Sequence, residues 1–574
     1  MSREALPAAG VFALVAALGF DGGGYAATAW GWSAVIVFAV LAVLLTRGVG
    51  RPHRPAVVLV MALAGFSAWT AASILWSSHF SASILEVERA LLYLAAAAVF
   101  VLAGSGPALL AGVLAAVTLL CGYGLVEVQA GERLSEPIGY ANGMAILAAI
   151  GLLLALGFAA RASQLGAAAA AATGPLLAAT LYFTFGRGAW LALGVGLAAA
   201  VAVGPGRLQL AVAAMSLAVP TGLAVVLADR LGASSAFAGI LLVLCVLSAA
   251  IPVGLRSAAA LYRPSLRARR AFAAVLVALP LVVAAAALVK LGGPAGAWDS
   301  FKAAPTPTHG KPRERVLSLS GSNRADYWSV AWRSYKAEPA LGAGAGTFAR
   351  TWLRERPVPQ PVKDAHSLYL ETLAELGPVG LLLLFLALAA PLAGRRSRWT
   401  PVALAPYAAF LAHAAQDWDW ELPVVTVAAL ACGAAPIAGR SGPRLPPIAA
   451  AVPAALCVLA ALAFLGNQAV EESVDASERL ALPQAADAAR RARSLQPWSP
   501  EPYRLLGEVE LAEGSLAAAR RYFRRGLKED SEEYELWIGL GLASDGAARR
   551  EAFARAARLN PLSPELRELG FETS

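Results

Sequence analysis

The chain has 574 residues, of which 58% are hydrophobic and 15% charged, with a mean hydropathy of +0.61. A soluble protein carries roughly a quarter charged residues, so a soluble globular enzyme is excluded. The net charge of +9 does not point to nucleic acid, because the arginines gather in short loops between apolar runs, which is a topology signal.

About 15 apolar runs follow one another along the chain, many long enough to cross a ~30 Å hydrocarbon core as helices. They lie near 6–20, 27–46, 55–75, 90–104, 107–126, 141–160, 165–185, 188–204, 208–228, 235–254, 271–291, 375–394, 401–415, 421–438 and 447–465. The first has no clear small-residue cleavage site after it and is read as a retained helix rather than a signal peptide. Cys121, Cys245, Cys432 and Cys457 all sit inside apolar runs without metal spacing and read as packing residues.

The loops fix an orientation. With the N-terminus in the cytoplasm, the inward loops and Arg3 hold about 16 basic residues, and the short outward loops about four, namely Arg89, Arg133, Arg187 and Arg230. Residues 1–291 then form a first set of membrane helices, 292–371 an extracytoplasmic loop, 372–465 a second set of helices, and 466–574 a soluble helical tail. The loop opens on the Pro/Gly/Thr-rich GGPAGAWDSFKAAPTPTHGKP. It continues as NRADYWSVAWRSYKAEP, in which Trp328, Trp332 and Tyr335 share one helical face suited to the membrane interface. In the tail, Leu495, Leu527 and Leu559 recur every 32 residues, as do Gly507 and Gly539. Helix pairs at this period, with Ala519 and Phe523 four apart, resemble tetratricopeptide repeats. With 15 spans the tail is extracytoplasmic; with 14 it would be cytoplasmic.

No nucleotide-binding loop, GxSxG elbow or HExxH zinc motif is present, so any chemistry must use an activated substrate. Arg187, in FGRGAW, lies between two apolar runs separated by almost nothing. An arginine at that depth costs about 2.5–3.5 kcal/mol unless it snorkels, so it faces a cavity or partner or lies at a tight turn. Arg324 precedes the amphipathic helix of the outer loop and is either a solvated or salt-bridged residue, with Asp326 the nearby carboxylate, or part of a clamp with Arg187. Two guanidinium groups converging on one site would hold a phosphate or pyrophosphate. His366 is one of five histidines and opens a helix at the outer face, where a neutral imidazole can take a proton from a hydroxyl. Behind it Gly377 and Gly380 permit a bend or a close helix approach. Asp417 and Asp419, in QDWDWELP, offer two carboxylates. A positional or hydrogen-bonding role is favoured over a divalent cation there.

These stretches together resemble the O-antigen ligase and polymerase family of polytopic glycosyltransferases. His366-Ser367, nine residues, then Gly377-x-x-Gly380 is similar to that family's H-[NSQ]-x9-G-x-x-G pattern. NRADYWSVAWRSYKAEPALGAGAGTF resembles its outer-loop segment and FGRGAWLAL its arginine-glycine helix start. PIGYANGMA resembles its Pro…Asn element, which makes Asn142 a supporting residue. The resemblance implies an all-α, GT-C-like polytopic fold. The apolar runs of this chain, about 14–15 transmembrane helices, exceed the dozen typical of the ligases, and the small tetratricopeptide-like α-helical domain is an appendage seen in some relatives. It implies a donor glycan on undecaprenyl diphosphate, and an acceptor glycan, lipid or wall polymer. It implies a bacterial inner membrane location, with no cofactor and no essential metal. His366 would be the base, Arg187 and Arg324 would hold the pyrophosphate, and Asn142, Gly377, Gly380 and Asp417 would support them. A polymerase of the same family and a lipid-linked glycan flippase are the competing readings. A protein partner for the tail is left open.

Overall fold

Alanine, leucine and valine dominate the apolar runs, and in lipid their backbone groups must be satisfied within the chain, which favours helices. The computed structural model describes residues 4–571 apart from 130, 204–206, 304–319 and most of 260–291. Most of the run predicted at 271–291, and His309, lie outside the described residues. The first ten helices are α1 (Ala5–Phe20), α2 (Ala27–Thr46), α3 (Arg54–Ser73), α4 (Phe80–Ala103), α5 (Gly106–Glu127), α6 (Ala141–Arg161), α7 (Gln164–Phe183), α8 (Arg187–Val203), α9 (Arg207–Leu231) and α10 (Ser235–Ala259). The loop region holds α11 (Gly293–Lys302), α12 (Arg324–Ala337) and α13 (Phe348–Glu355). Then come α14 (Leu368–Ala389), α15 (Thr400–His413), α16 (Pro423–Ala434) and α17 (Ala451–Glu478). Among the described residues, eight helices are long and apolar enough to cross a membrane. The protein is a polytopic helical membrane protein.

Helix α4 begins ten residues before the apolar run that marks it in the sequence, so Glu86, Glu88 and Arg89 ride on a helix packed into the bundle. Arg89 is 4% exposed and pairs with Glu86 and Glu421. Charges matched in this way can be carried into the bundle, which a hydropathy window cannot see.

The loops segregate to two ends. At one end β1 (Gly50–Pro52) pairs antiparallel with β2 (Arg440–Arg444), Gly439 donates to the Val101 carbonyl, and Arg395 donates to that of Pro436. This end gathers the arginine-rich loops. At the other end Tyr25 meets Trp418 with ring centroids 5.4 Å apart, Leu134 donates to the Phe183 carbonyl, and Leu368 to that of Ala414. Helices α15 and α16 have 14 and 12 residues, about 21 and 18 Å at 1.5 Å per residue, less than a ~30 Å hydrocarbon core. The loop between them, 414–422, is therefore recessed into the bundle, and Asp417 and Asp419 are each 1% exposed.

The tail is helical: α18 (Leu482–Leu495), α19 (Glu501–Ala512), α20 (Leu516–Glu529), α21 (Tyr534–Leu542), α22 (Gly546–Leu559) and α23 (Pro564–Glu568). A Cβ on Gly507 or Gly539 would come within 2.5 and 2.4 Å of the Phe523 ring, so these two glycines let α19 and α21 close on the same side chain. The tail docks on the same end of the bundle as the 414–422 loop, through Arg350 to Asp530 at 2.6 Å and Arg356 to Asn560 at 2.7 Å.

Candidate active site

Ser322 and Asn323, just before α12, have φ of +52° and +67°, and His366, just before Ser367 and α14, has φ of +51°. The left-handed region is uncommon for residues other than glycine and marks a conformation imposed by its surroundings. These turns aim Arg324 and His366 at the recessed 414–422 loop.

His366 Nδ1 lies 2.8 Å from Asp364 Oδ1, and the same oxygen accepts from the His366 backbone N–H at 3.2 Å. Asp364 thus holds the ring from one side and leaves Nε2 as the nitrogen available to a substrate. Tyr327 packs on the imidazole with centroids 4.9 Å apart, Trp418 lies 6.4 Å away, and the Trp328 indole donates to the His366 carbonyl at 3.4 Å. Burial pulls the imidazole pKa down, but the charge and hydrogen bond of Asp364, with Asp417 adding, outweigh it and leave the net shift upward.

Asp417 is the centre of the polar network. Its Oδ2 accepts from Arg324 Nη2 and from Asn142 Nδ2, both at 2.8 Å. Its Oδ1 accepts from the Tyr140 hydroxyl at 2.7 Å and the Trp418 N–H at 3.0 Å. Burial alone would raise this carboxyl. The charges of Arg324, His413 and His366 and the Tyr140 hydrogen bond instead hold it well below the ordinary carboxylate range. Arg324 also donates to the Gln416 carbonyl through Nε and to that of Gly321 at 3.4 Å through Nη1. A guanidinium has five N–H donors, so these three bonds leave it further donor capacity. Its partner is Asp417 rather than Asp326, because the left-handed turn carries the side chain inward.

Arg187 opens α8 and donates through Nη2 to the Ser320 carbonyl at 2.9 Å and to Ser322 Oγ at 3.2 Å. The outer loop at 320–324 therefore bridges the two predicted arginines. Gly188 fits under the recessed loop: a Cβ there would lie 2.9 Å from Gln416 Nε2 and 3.2 Å from His413 Nε2.

Gly377 breaks α14, with φ of +64° and ψ of −169°, a region open essentially to glycine alone. The Leu376 carbonyl beside the break accepts from the Trp69 indole at 2.9 Å, and Gly380 packs on that indole. The turn PALGAGAGTF sits against the break. A Cβ on Gly342 would meet the Glu375 carbonyl at 2.4 Å, and Glu375 caps the start of α13 by accepting from Gly346 and Phe348, each at 2.9 Å.

The structure thus brings His366, Arg324, Asp417 and Asn142 into one network, joins Arg187 to it through Ser322, and places Gly377 and Gly380 at the bend behind. The sequence assigns no role to Asp364, Tyr140 or His413, marks Arg133 only as an outward charge, and offers Asp419 without its partner His413. Arg133 Nη2 donates to Asn142 Oδ1 at 2.9 Å, and His413 Nδ1 lies 2.8 Å from Asp419 Oδ2. Asp364 stood two residues before His366, close enough to be a turn partner. The others are joined only by the fold. Both Asp417 oxygens accept from protein donors, and Asp419 faces His413. Among the described residues, one group has metal-ligand spacing, His79, Asp530 and Glu533, with ligand atoms within 4.8 Å of one another. Arg350 already pairs with Asp530 there.

Residues 231–385 match a family model described as O-Antigen ligase. The chain carries an O-antigen ligase domain. The matched segment contains Arg324, His366 and both glycines of the break, while Arg187, Asn142 and Asp417 come to the domain from outside it. The ligase family points to a glycosyltransferase-like enzyme in a multi-pass membrane protein. No curated protein matches the chain.

Proposed function

We propose that the protein transfers a glycan from an undecaprenyl-diphosphate carrier to an acceptor hydroxyl, on the extracytoplasmic face of a bacterial inner membrane. The observation that carries this reading is His366, with Nδ1 held by Asp364 and Nε2 left for a substrate, beside the Arg324–Asp417 network. Nε2 accepts the proton of the acceptor hydroxyl as its oxygen attacks the anomeric carbon. The bond from that carbon to the diphosphate oxygen breaks, and its electron pair leaves with the diphosphate. Arg324 and Arg187 bind the diphosphate and stabilise the charge it gains. Asp417, Tyr140 and Asn142 fix the Arg324 plane. The arginine-rich loops at the opposite end support a cytoplasmic assignment for that end, and hence an extracytoplasmic site and tail. A polymerase extending a glycan chain would use the same steps with a different acceptor.

The test uses membranes with a lipid-diphosphate-linked glycan and the native cell-envelope acceptor fraction, comparing wild type with His366→Ala at equal expression. Loss of transfer with donor still bound is expected, and full transfer by the variant would remove His366 as the base. A chelator is expected to leave wild-type transfer unchanged.

A further inference from the structure

The tail is joined to the site by a continuous set of packed side chains running through α13. Phe348 and Trp352, one turn apart on one face of this helix, are 1% and 0% exposed. Trp352 meets the Tyr327 ring edge-on at 4.8 Å, and Tyr327 packs on His366 at 4.9 Å. The other face carries arginines. Arg350 donates to the Ser78 carbonyl through Nη1 and to Asp530 Oδ2 through Nη2, both at 2.6 Å, and lies 3.7 Å from Glu533. Arg350 and Asp530 side chains are each 7% exposed, so this is a desolvated pair rather than a surface contact. Arg356, just past the helix, reaches Asn560 at 2.7 Å and the Leu562 carbonyl at 3.1 Å.

We propose that Arg350 and Asp530 are positioning residues for His366, so that the tail holds the catalytic loop in register instead of merely hanging from it. The structural reason is that α13 has only eight residues, too short to hold a fixed orientation by itself. Its N-terminus is tied to Glu375 on α14, and its length is tied to the tail by Arg350. Releasing the second tie lets Trp352 swing, and the Tyr327 ring that backs the imidazole loses its support. The consequence for rate rests on the transfer reading above. The consequence for order does not.

The experiment uses the full chain in detergent, with Asp530→Ala, and Asp530→Asn as the variant that keeps shape and one hydrogen bond. Glu472→Ala, on an exposed tail pair with Arg491, is the control. Hydrogen exchange of residues 324–337 and 364–367 is read alongside transfer kinetics, with the melting temperature as a check on folding. Faster exchange in both segments is expected for Asp530→Ala. Its kcat is expected to fall about 10- to 100-fold, the effect of a displacement on the order of 1 Å, with donor KM unchanged. Asp530→Asn should lie between, and Glu472→Ala should match wild type. Wild-type exchange at 364–367 and wild-type kcat in folded Asp530→Ala or Asp530→Asn would overturn the proposal. Absence of transfer by wild type would count against the glycan reading alone, and the exchange result would still decide whether the tail orders the loop.

Discussion

On the proposed mechanism, Asp364 decides when His366 can work. A base must be neutral to accept a proton, and the carboxylate beside Nδ1 favours the charged imidazolium, which moves the pKa of His366 above its ordinary value near 6.5. Transfer should therefore rise with pH through a limb above that value. In Asp364→Asn the favouring charge is gone, burial prevails, and the limb should move to lower pH. A pH profile of kcat/KM for the two proteins checks the sign. Asp417 carries a different load. Removing it in Asp417→Ala leaves Arg324 buried beside Tyr140 and Asn142 without its anion, and loss of one partner of such a pair costs about 3–5 kcal/mol. A lowered melting temperature together with weakened donor binding is the expected outcome.

At the scale of elements, the break in α14 is the part on which the loop depends. Gly377→Ala would place a Cβ 2.8 Å from the Ala340 carbonyl and force an L side chain into a glycine conformation, at a cost of about 1–3 kcal/mol. Denaturation in detergent should show that loss, and transfer should fall with it because the turn at 339–348 rests on the break. This element was legible in the sequence in outline. A rare histidine at the start of an apolar run, followed by two glycines, stands out without any structure. Its polar surroundings were not legible. Tyr140 and Asn142 sit 277 and 275 positions from Asp417, and no local pattern couples residues so far apart. For the same reason the start of α4 was hidden, since Glu86 and Arg89 look like a helix boundary until Glu421 is seen to complete the pairing. On α12 the aromatic stripe was visible, yet the buried face is the neighbouring one, Tyr327, Val330 and Ala331, because His366 and α13 lie on that side.

For the whole molecule, the contrast between the recessed 414–422 loop and the tail seam separates two kinds of electrostatics. Counterions screen charges over about 8 Å at 0.15 M ionic strength, but only where solvent reaches them. Arg354 and Glu532 at the seam, with side chains 36% and 38% exposed, stand in that solvent. Asp417, walled in by two helices too short to lift it to the surface, and the His366–Asp364 pair that sets the limb, with side chains 17% and 10% exposed, are largely shielded from it. Raising salt should therefore loosen the outer part of the tail contact and leave the acid limb of transfer where it was. A titration with sodium chloride, following tail exchange and the pH profile together, would show the two responses part. On the proposed reading, with the site on the extracytoplasmic face, the protein would then keep its proton chemistry constant while the ionic strength around it changes.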